Sequence, residues 1–346
     1  METDSKKLKW GILGAGGIAR RFADAVQHSE RGRVVAIGSR TNEKAQQFAE
    51  THGAIRAHSS YESLLADDQV EAVYIATPHP LHAPWCLRAT EAGKHILCEK
   101  PLAVNYTDAA RIVEAAQRHD VFLMEGFMYR CHPQTKNLVD LIRNGRIGKL
   151  LLIQASHGFK STFDPNHRLY ANDLAGGAIL DVGCYTTSMS RLIVGAASGE
   201  SPEEPINIQG AGHLGQTGVD EWAVGTLFFA DDVFAQISTT IQSDLENAVR
   251  ITGTEGQIEV TSPWLCSGFE GGSATITVHR HGEQPQQIVT ETNQWLYGIE
   301  ADMVAKHLED RQASWSAMTW NDTLANMRVL DQWRQAIGLK YNFEKE

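Results

Sequence analysis

The chain has 346 residues, 42% of them hydrophobic, which is enough apolar material for two domains without metal or disulfide staples. A formal net charge of −11 excludes a broad electrostatic grip on nucleic acid or on an anionic membrane, since both need clustered Lys and Arg. No run approaches the roughly 20 apolar residues that span a bilayer. The polar start, METDSKKLKW, lacks a signal-peptide centre, and five scattered cysteines contain no C-x-x-C, so a reducing, cytoplasmic location is expected.

Up to about residue 127, short apolar runs alternate with amphipathic stretches. The runs at 10–13, 34–37, 73–76, 95–98 and 121–124 read as strands, and the stretches at 18–28, 43–52, 84–92 and 108–118 as helices. Strands separated by helices of this length are βαβ units, which predicts a Rossmann-type doubly wound parallel sheet over residues 1–127. A further helix, 134–144, stops at Asn144-Gly145. The period then changes. Runs at 150–158, 222–229, 233–241, 248–253, 257–260 and 274–279 are joined by turn signals such as Ala230-Asp231-Asp232 and Glu255-Gly256. They predict a mainly antiparallel sheet in a second α/β domain, 128–346, whose helices at 295–309 and 319–337 return toward the first domain.

Gly14-Ala15-Gly16-Gly17-Ile18-Ala19 follows the first strand and opens the first helix. In that context the pattern predicts a dinucleotide site. Gly14 allows a tight turn and Gly16 a close approach to the pyrophosphate. Gly17 and Ile18 begin a helix whose free N–H groups and partial positive charge face the phosphates. NAD-selective sites carry Asp or Glu at the tip of the second strand; here the tip reads Gly38-Ser39-Arg40-Thr41. Ser39 and Arg40 suit a 2′-phosphate, so NADP is expected, with NAD as the alternative.

Ligands of doubly wound folds bind beyond the carboxyl ends of the strands, which puts Lys100, after the run at 95–98, in the cofactor crevice. If the segment around 176–185 is helical, Asp181 and Tyr185 share one face a turn apart. Moving a hydride to or from carbon requires moving a proton to or from oxygen, and Tyr185 is the candidate acid/base. A Tyr pKa is ordinarily about 10, so a cation is needed nearby, and Lys100 is the expected one. Asp181 would position Lys100 or a substrate hydroxyl. The bland readings are an interdomain packing ring for Tyr185, a helix-stabilising acid for Asp181 and a solvated loop cation for Arg40. His79-x-x-His82 and His279-x-His281 lack zinc-like spacing, so no metal is expected, and Tyr341-x-x-x-Lys345 reads as a chance match at the C-terminus. Trp264 and Trp295 suit core packing better than sugar stacking.

The glycine turn, Glu99-Lys100-Pro101, and Gly176-Gly177 followed by Asp181-x-x-x-Tyr185 together resemble the Gfo/Idh/MocA oxidoreductases, from Trp10 to about Arg334. The resemblance implies a second domain with a large open sheet that serves as a homodimer or homotetramer interface. It also implies that Thr77, His79 and His82 line the cofactor crevice and that Glu99 and Lys100 flank the nicotinamide ribose. Arg168 stands where the family often has a Trp-Arg pair on the cofactor, with His167 in place of the Trp, and Tyr297 is a further pocket residue. Many members have His where this chain has Tyr185. The Tyr resembles the branch that includes dihydrodiol dehydrogenase, glucose–fructose oxidoreductase and NADP-dependent aldose dehydrogenases. That turns the expectation toward a sugar, polyol or cyclic diol and away from inositol-type substrates. A sensor that only bound dinucleotide or sugar would not need Lys100 and Tyr185, and a keto-sugar reductase would use both.

Overall fold

The computed structural model describes residues 7–199 and 203–344; Lys345 of the chance motif lies outside them. The first half alternates strand and helix: β1 (Leu8–Leu13), α1 (Gly17–Gln27), β2 (Gly32–Gly38), α2 (Asn42–His52), β3 (Arg56–His58), α3 (Tyr61–Leu65), β4 (Ala72–Ile75), α4 (His82–Glu91), β5 (His95–Glu99), α5 (Tyr106–Arg118) and β6 (Leu123–Gly126). All six strands pair in parallel, in the order β3-β2-β1-β4-β5-β6. Helices cover both faces of such a sheet, so β1 beyond Lys9 and all of β4 are apolar: Trp10, Ile12, Leu13, Val73, Tyr74 and Ile75 are all buried. The strand order reverses between β1 and β4, and their carboxyl ends open a crevice there.

The second half contains α6 (Met128–Cys131), α7 (Pro133–Arg143), β7 (Leu150–Gly158), α8 (Cys184–Ser198), β8 (Asn207–Leu214), β9 (Asp220–Phe228), β10 (Phe234–Thr240), β11 (Val249–Gly253), β12 (Gly256–Val260), β13 (Gly272–Arg280), β14 (Gln286–Thr292), α9 (Leu296–Lys306) and α10 (Trp320–Ala336). Its eight strands run β14-β13-β12-β11-β7-β10-β9-β8, antiparallel except for the parallel β7–β10 pair. α9 packs on α1, and α10 packs on α5 and β8, so both returning helices reach the first sheet's layer. Among the described residues no helix is long and apolar enough to cross a membrane.

The short helices α3 and α6 and four further elements carried no clear sequence signal, the four for physical reasons. Thirteen of the fifteen residues of α8 are buried, so it has no polar stripe to reveal a helical period. Its hydroxyls are satisfied within the helix, Thr186 by Gly183 O, Thr187 by Cys184 O and Ser190 by Thr186 O. β8 is interrupted by Gly210, where a Cβ would come within 2.9 Å of Trp333 from α10; the strand gives up a side chain so that the indole can lie on it. β3 and β14 are edge strands, one only three residues long and the other largely exposed.

Candidate active site

Gly14 adopts φ 106°, and a Cβ there would lie 2.8 Å from the Ala76 carbonyl at the end of β4. The β1–α1 turn therefore presses against the crevice wall. Gly16 and Gly17 instead face open space, no side chain caps the α1 N-terminus, and its first turn holds no acid. These free N–H groups and the positive end of the helix suit a pyrophosphate. The Thr77 hydroxyl, buried without a partner at the crevice edge, is a further polar atom awaiting a ligand. The residues present thus fit a dinucleotide.

A recess of about 410 Å³ adjoins Gly16 and is lined by Ser39, Arg40, Thr41, Lys44 and Tyr61. Ser39 is positioned at the tip of β2 by its N–H bond to His58 O of β3. The Thr41 hydroxyl caps α2, which sets Lys44 on its first turn. Arg40 and Lys44 are exposed and make no ion pair with a described residue.

The crevice itself is a cleft of about 570 Å³ that runs from Gly16 past Thr77 and His79 to Lys100, Asp181 and Tyr185. Gly177 begins the segment that carries Asp181. Its φ is 114°, and a Cβ would collide with the Asp220 carboxylate, which accepts the Ile179 N–H at 2.7 Å. Burial pushes the Asp220 pKa up to about 7. From this staple the chain makes a wide i→i+5 turn over Ile179–Gly183 and then continues as α8. Asp181 lies within the wide turn and Tyr185 on the first turn of α8, which joins them on one wall as the spacing implied.

Asp181 is ion-paired twice: Arg168 Nη1 donates to its Oδ1 at 2.8 Å, and Lys100 Nζ lies 3.6 Å from the same oxygen. Lys100 also donates to the Asp181 carbonyl at 2.6 Å. Burial alone would raise the Asp181 pKa, but the charges of Lys100 and Arg168 outweigh it and hold the carboxyl well below its usual range. Glu99 behaves in the opposite way. It is buried, accepts the Tyr74 hydroxyl, and has its pKa raised because burial prevails over the Lys100 charge.

Tyr185 differs from expectation. Its hydroxyl approaches Met128 Sδ at 3.4 Å, while Lys100 Nζ lies over the face of the ring, 5.1 Å from its centroid, and makes no hydrogen bond to the hydroxyl. Burial pushes its pKa well above 10, and Lys100 does not offset this. The reason is local: the lysine is drawn to Asp181. Tyr185 therefore holds its proton, and a thioether, a weak acceptor, leaves that proton available to a better one.

His82 lines the cleft as well, fully buried, and with its ring nitrogens 2.8 Å from the carbonyls of Pro101 and Thr77 it also braces the loops. His79 lines the cleft too, with Nδ1 3.1 Å from Ala175 O, and burial lowers its pKa to about 3. Tyr297 and Phe159 line the cleft, whereas Phe163 is exposed against Tyr170. Trp264 packs behind Tyr185, and Trp295 stacks on His28. Sequence reasoning missed Lys44, Met128 and His157. The period of two along β7, which turns Ile153, Ala155 and His157 to one side, was the available signal for the last.

Residues 8–127 match a family model described as an oxidoreductase family with an NAD-binding Rossmann fold, and residues 135–259 match the GFO/IDH/MocA C-terminal domain. The chain belongs to the Gfo/Idh/MocA oxidoreductase family. Among its relatives, the trans-1,2-dihydrobenzene-1,2-diol dehydrogenase of Danio rerio is 33% identical, with 98% of this chain and 99% of that protein covered. The Mus musculus enzyme of the same name is 35% identical with the same coverage. A 3-ketoreductase from Actinomadura kijaniata, solved with NADP and TDP-benzene, superposes with a TM-score of 0.84 at 26% identity, over 96% of this chain and 98% of that one. An aldose–aldose oxidoreductase from Caulobacter crescentus shares the fold, with a TM-score of 0.83 at 24% identity over 95% and 97% of the two chains.

Proposed function

We propose that this Gfo/Idh/MocA protein is an NADP-preferring dehydrogenase or reductase. It transfers a hydride between the nicotinamide and a hydroxyl-bearing secondary or hemiacetal carbon of a sugar, polyol or cyclic diol. The observation that carries the reading is the convergence of Lys100, Asp181 and Tyr185 at one end of a cleft whose other end is the uncapped glycine turn. Relatives named for a cyclic diol and a neighbour solved with NADP support it.

Bound NADP supplies the hydride acceptor or donor. Gly14, Gly16, Gly17 and Ile18 would hold its pyrophosphate, Thr77 and His79 its inner edge, Glu99 its nicotinamide ribose, and Ser39 and Arg40 its 2′-phosphate. His82 would act by fixing the loops. Asp181, kept ionised, anchors Lys100 and Arg168, so that both cations face the reacting oxygen without leaving a buried charge unpaired. Tyr185 keeps its proton until that oxygen gathers negative charge, then donates it; oxidation runs the same transfer in reverse. Dry walls strengthen every one of these interactions.

In this reading residues 1–127 hold the cofactor, and residues 128–346 hold the substrate and mediate self-association. Trp222, Val224 and Phe234 are exposed on the outer face of the second sheet, which suits a homodimer or homotetramer; light scattering at micromolar concentration tests it. The functional test is NADPH formation from NADP⁺ with a panel of aldoses, polyols and trans-cyclohexadiene diols, run in parallel with NAD⁺. Turnover that favours NADP⁺ is expected. Cofactor binding without hydride transfer to any member would overturn the dehydrogenase in favour of a specialised keto-sugar reductase or a sensor.

A further inference from the structure

His157 occupies the cleft wall beside Tyr185, with chemistry that the roles above do not use. Its ring stacks on Trp264, with centroids 5.2 Å apart and planes 18° apart, and meets the Tyr185 ring edge-on at 4.9 Å. Trp264 is itself fixed, donating Nε1–H to Ser156 O at 3.1 Å. The imidazole is therefore clamped between two rings, and no side-chain freedom remains to be lost when a ligand arrives.

Its hydrogen-bonding capacity is nevertheless unspent. Nδ1 is buried with no partner, and neither ring nitrogen bonds to a described residue. An orphaned N–H is costlier to bury than an orphaned lone pair, so the favoured tautomer leaves the lone pair on Nδ1 and the proton on Nε2. Burial, reinforced by the nearby Lys100 charge, lowers the pKa to about 3, so the ring stays neutral at physiological pH and is no proton shuttle. Nε2–H is thus a preset donor facing a cleft whose nearby walls, Met128, Phe159, Leu265 and Phe269, are apolar or weakly polar. In pockets of this kind a few placed polar groups decide orientation.

We infer that His157 selects substrates with two adjacent oxygens, donating Nε2–H to the hydroxyl beside the reacting carbon while Tyr185 and Lys100 address the reacting oxygen. The substrate class is then the vicinal diol or its 2-hydroxy-carbonyl counterpart, a unit that sugars and cyclic trans-diols share. The inference rests on the dehydrogenase reading above and refines it.

The test compares kcat/KM with NADP⁺ for two pairs, trans-cyclohexane-1,2-diol against cyclohexanol and glucose against 2-deoxyglucose, in the wild type, His157→Phe and His157→Gln. Phe fills the slot between Trp264 and Tyr185 without a donor; Gln returns a donor near Nε2. Unchanged NADP binding, read by fluorescence, checks that each variant is folded. The wild type is expected to prefer the member with adjacent oxygens by about tenfold or more, the scale of one well-placed hydrogen bond in a dry site. In His157→Phe that preference should fall toward unity while the member lacking the adjacent hydroxyl changes by no more than about twofold, and His157→Gln should recover part of it. A preference kept in His157→Phe, or an equal loss on both members, overturns the inference and leaves the dehydrogenase reading standing. A cofactor-bound wild type that turns over no member overturns that reading, and the inference with it.

Discussion

Around Asp181, two cations and a carboxylate share a dry pocket: the Lys100 and Asp181 side chains are 13% and 5% exposed, and only Arg168 reaches toward solvent. Around Arg40 and Lys44, two cations stand exposed beside a recess with no carboxylate among the lining residues. One end of the crevice pairs both cations with one carboxylate and so can hold them at a low dielectric. The other leaves its charges for a ligand to neutralise. The same residue type therefore carries different weight at each end, because Coulomb energy grows as water is excluded. In the proposed function the chemistry lies at the dry end and the cofactor choice at the wet one.

The largest effects are expected where the charges are buried. Lys100→Met and Tyr185→Phe should each lower kcat by roughly 10²- to 10⁴-fold, the usual contribution of a positioned proton donor or of a preset cation. Affinity for NADP should change by only a few-fold, since the glycine turn and the Ser39–Arg40 recess are untouched. Raising the salt should not mimic either loss, because the pair is shielded from bulk ions. Equal loss of NADP binding and kcat in these variants would show that the two ends are not separable.

A second, smaller effect tests how far the dry region extends behind Lys100. Glu125, at the end of β6, is buried, and its Oε1 accepts the N–H of Leu102, two residues past the lysine. Burial pushes its pKa from 4.5 up to about 7. The sign follows directly: between these values the unfolded chain has lost the proton and the folded chain keeps it. The contribution is therefore fully present below about pH 4.5 and is lost as pH rises through about 7. A shift of this size is worth roughly 3 kcal/mol. Glu125→Gln keeps an acceptor for Leu102 and cannot ionise, so it should gain on the wild type by about that amount between pH 5 and pH 8. Denaturant unfolding at the two pH values checks it; parallel curves for the two proteins would refute a buried, protonated Glu125. Asp220, also pushed to about 7, supplies a residual slope in both.

These contrasts also explain how much could be read in advance. The glycine turn was legible because strand, turn and helix N-terminus occupy consecutive residues, 8–27, with Gly14 answering a backbone demand and Gly16 and Gly17 leaving the helix N-terminus open. The first sheet, apart from its edge strand β3, was legible because strands covered on both faces carry unbroken apolar runs. Asp181 and Tyr185 were legible by spacing, although the connecting wide turn was not. The direction of the Lys100 ammonium was hidden, because it depends on the Asp181 carbonyl and on Arg168, thirteen residues before Asp181 in sequence. His157 was hidden because an alternating strand shows which side a residue takes but not what it meets there. The Asp220 staple under the Gly177 turn comes from a strand more than forty residues away and leaves no local trace. Residues placed by their neighbours in sequence could be read; those placed by a distant carbonyl or carboxylate required the fold.

The smallest effects are expected at the wet end, and they give the sharpest comparison because salt can tune them. Arg40→Ala should reduce the preference for NADP over NAD by about 10- to 100-fold, the range of one charge-assisted hydrogen bond, with NAD affinity unchanged. Lys44→Ala should weaken NADP by no more than about fivefold, as a solvated charge acting at a distance. At 1 M salt the screening length shrinks to about 3 Å. The Lys44 effect should then vanish, while part of the Arg40 effect survives, since a direct contact is shorter than that length. Dissociation constants for NADP and NAD at low and high salt measure all of this. If Arg40→Ala weakens both dinucleotides equally, the recess adds general attraction and does not read the 2′-phosphate, and NADP preference must then arise elsewhere in the crevice. If the Arg40 effect vanishes with salt as the Lys44 effect does, the guanidinium steers the cofactor without touching it, and the recess would be wet even with the cofactor bound.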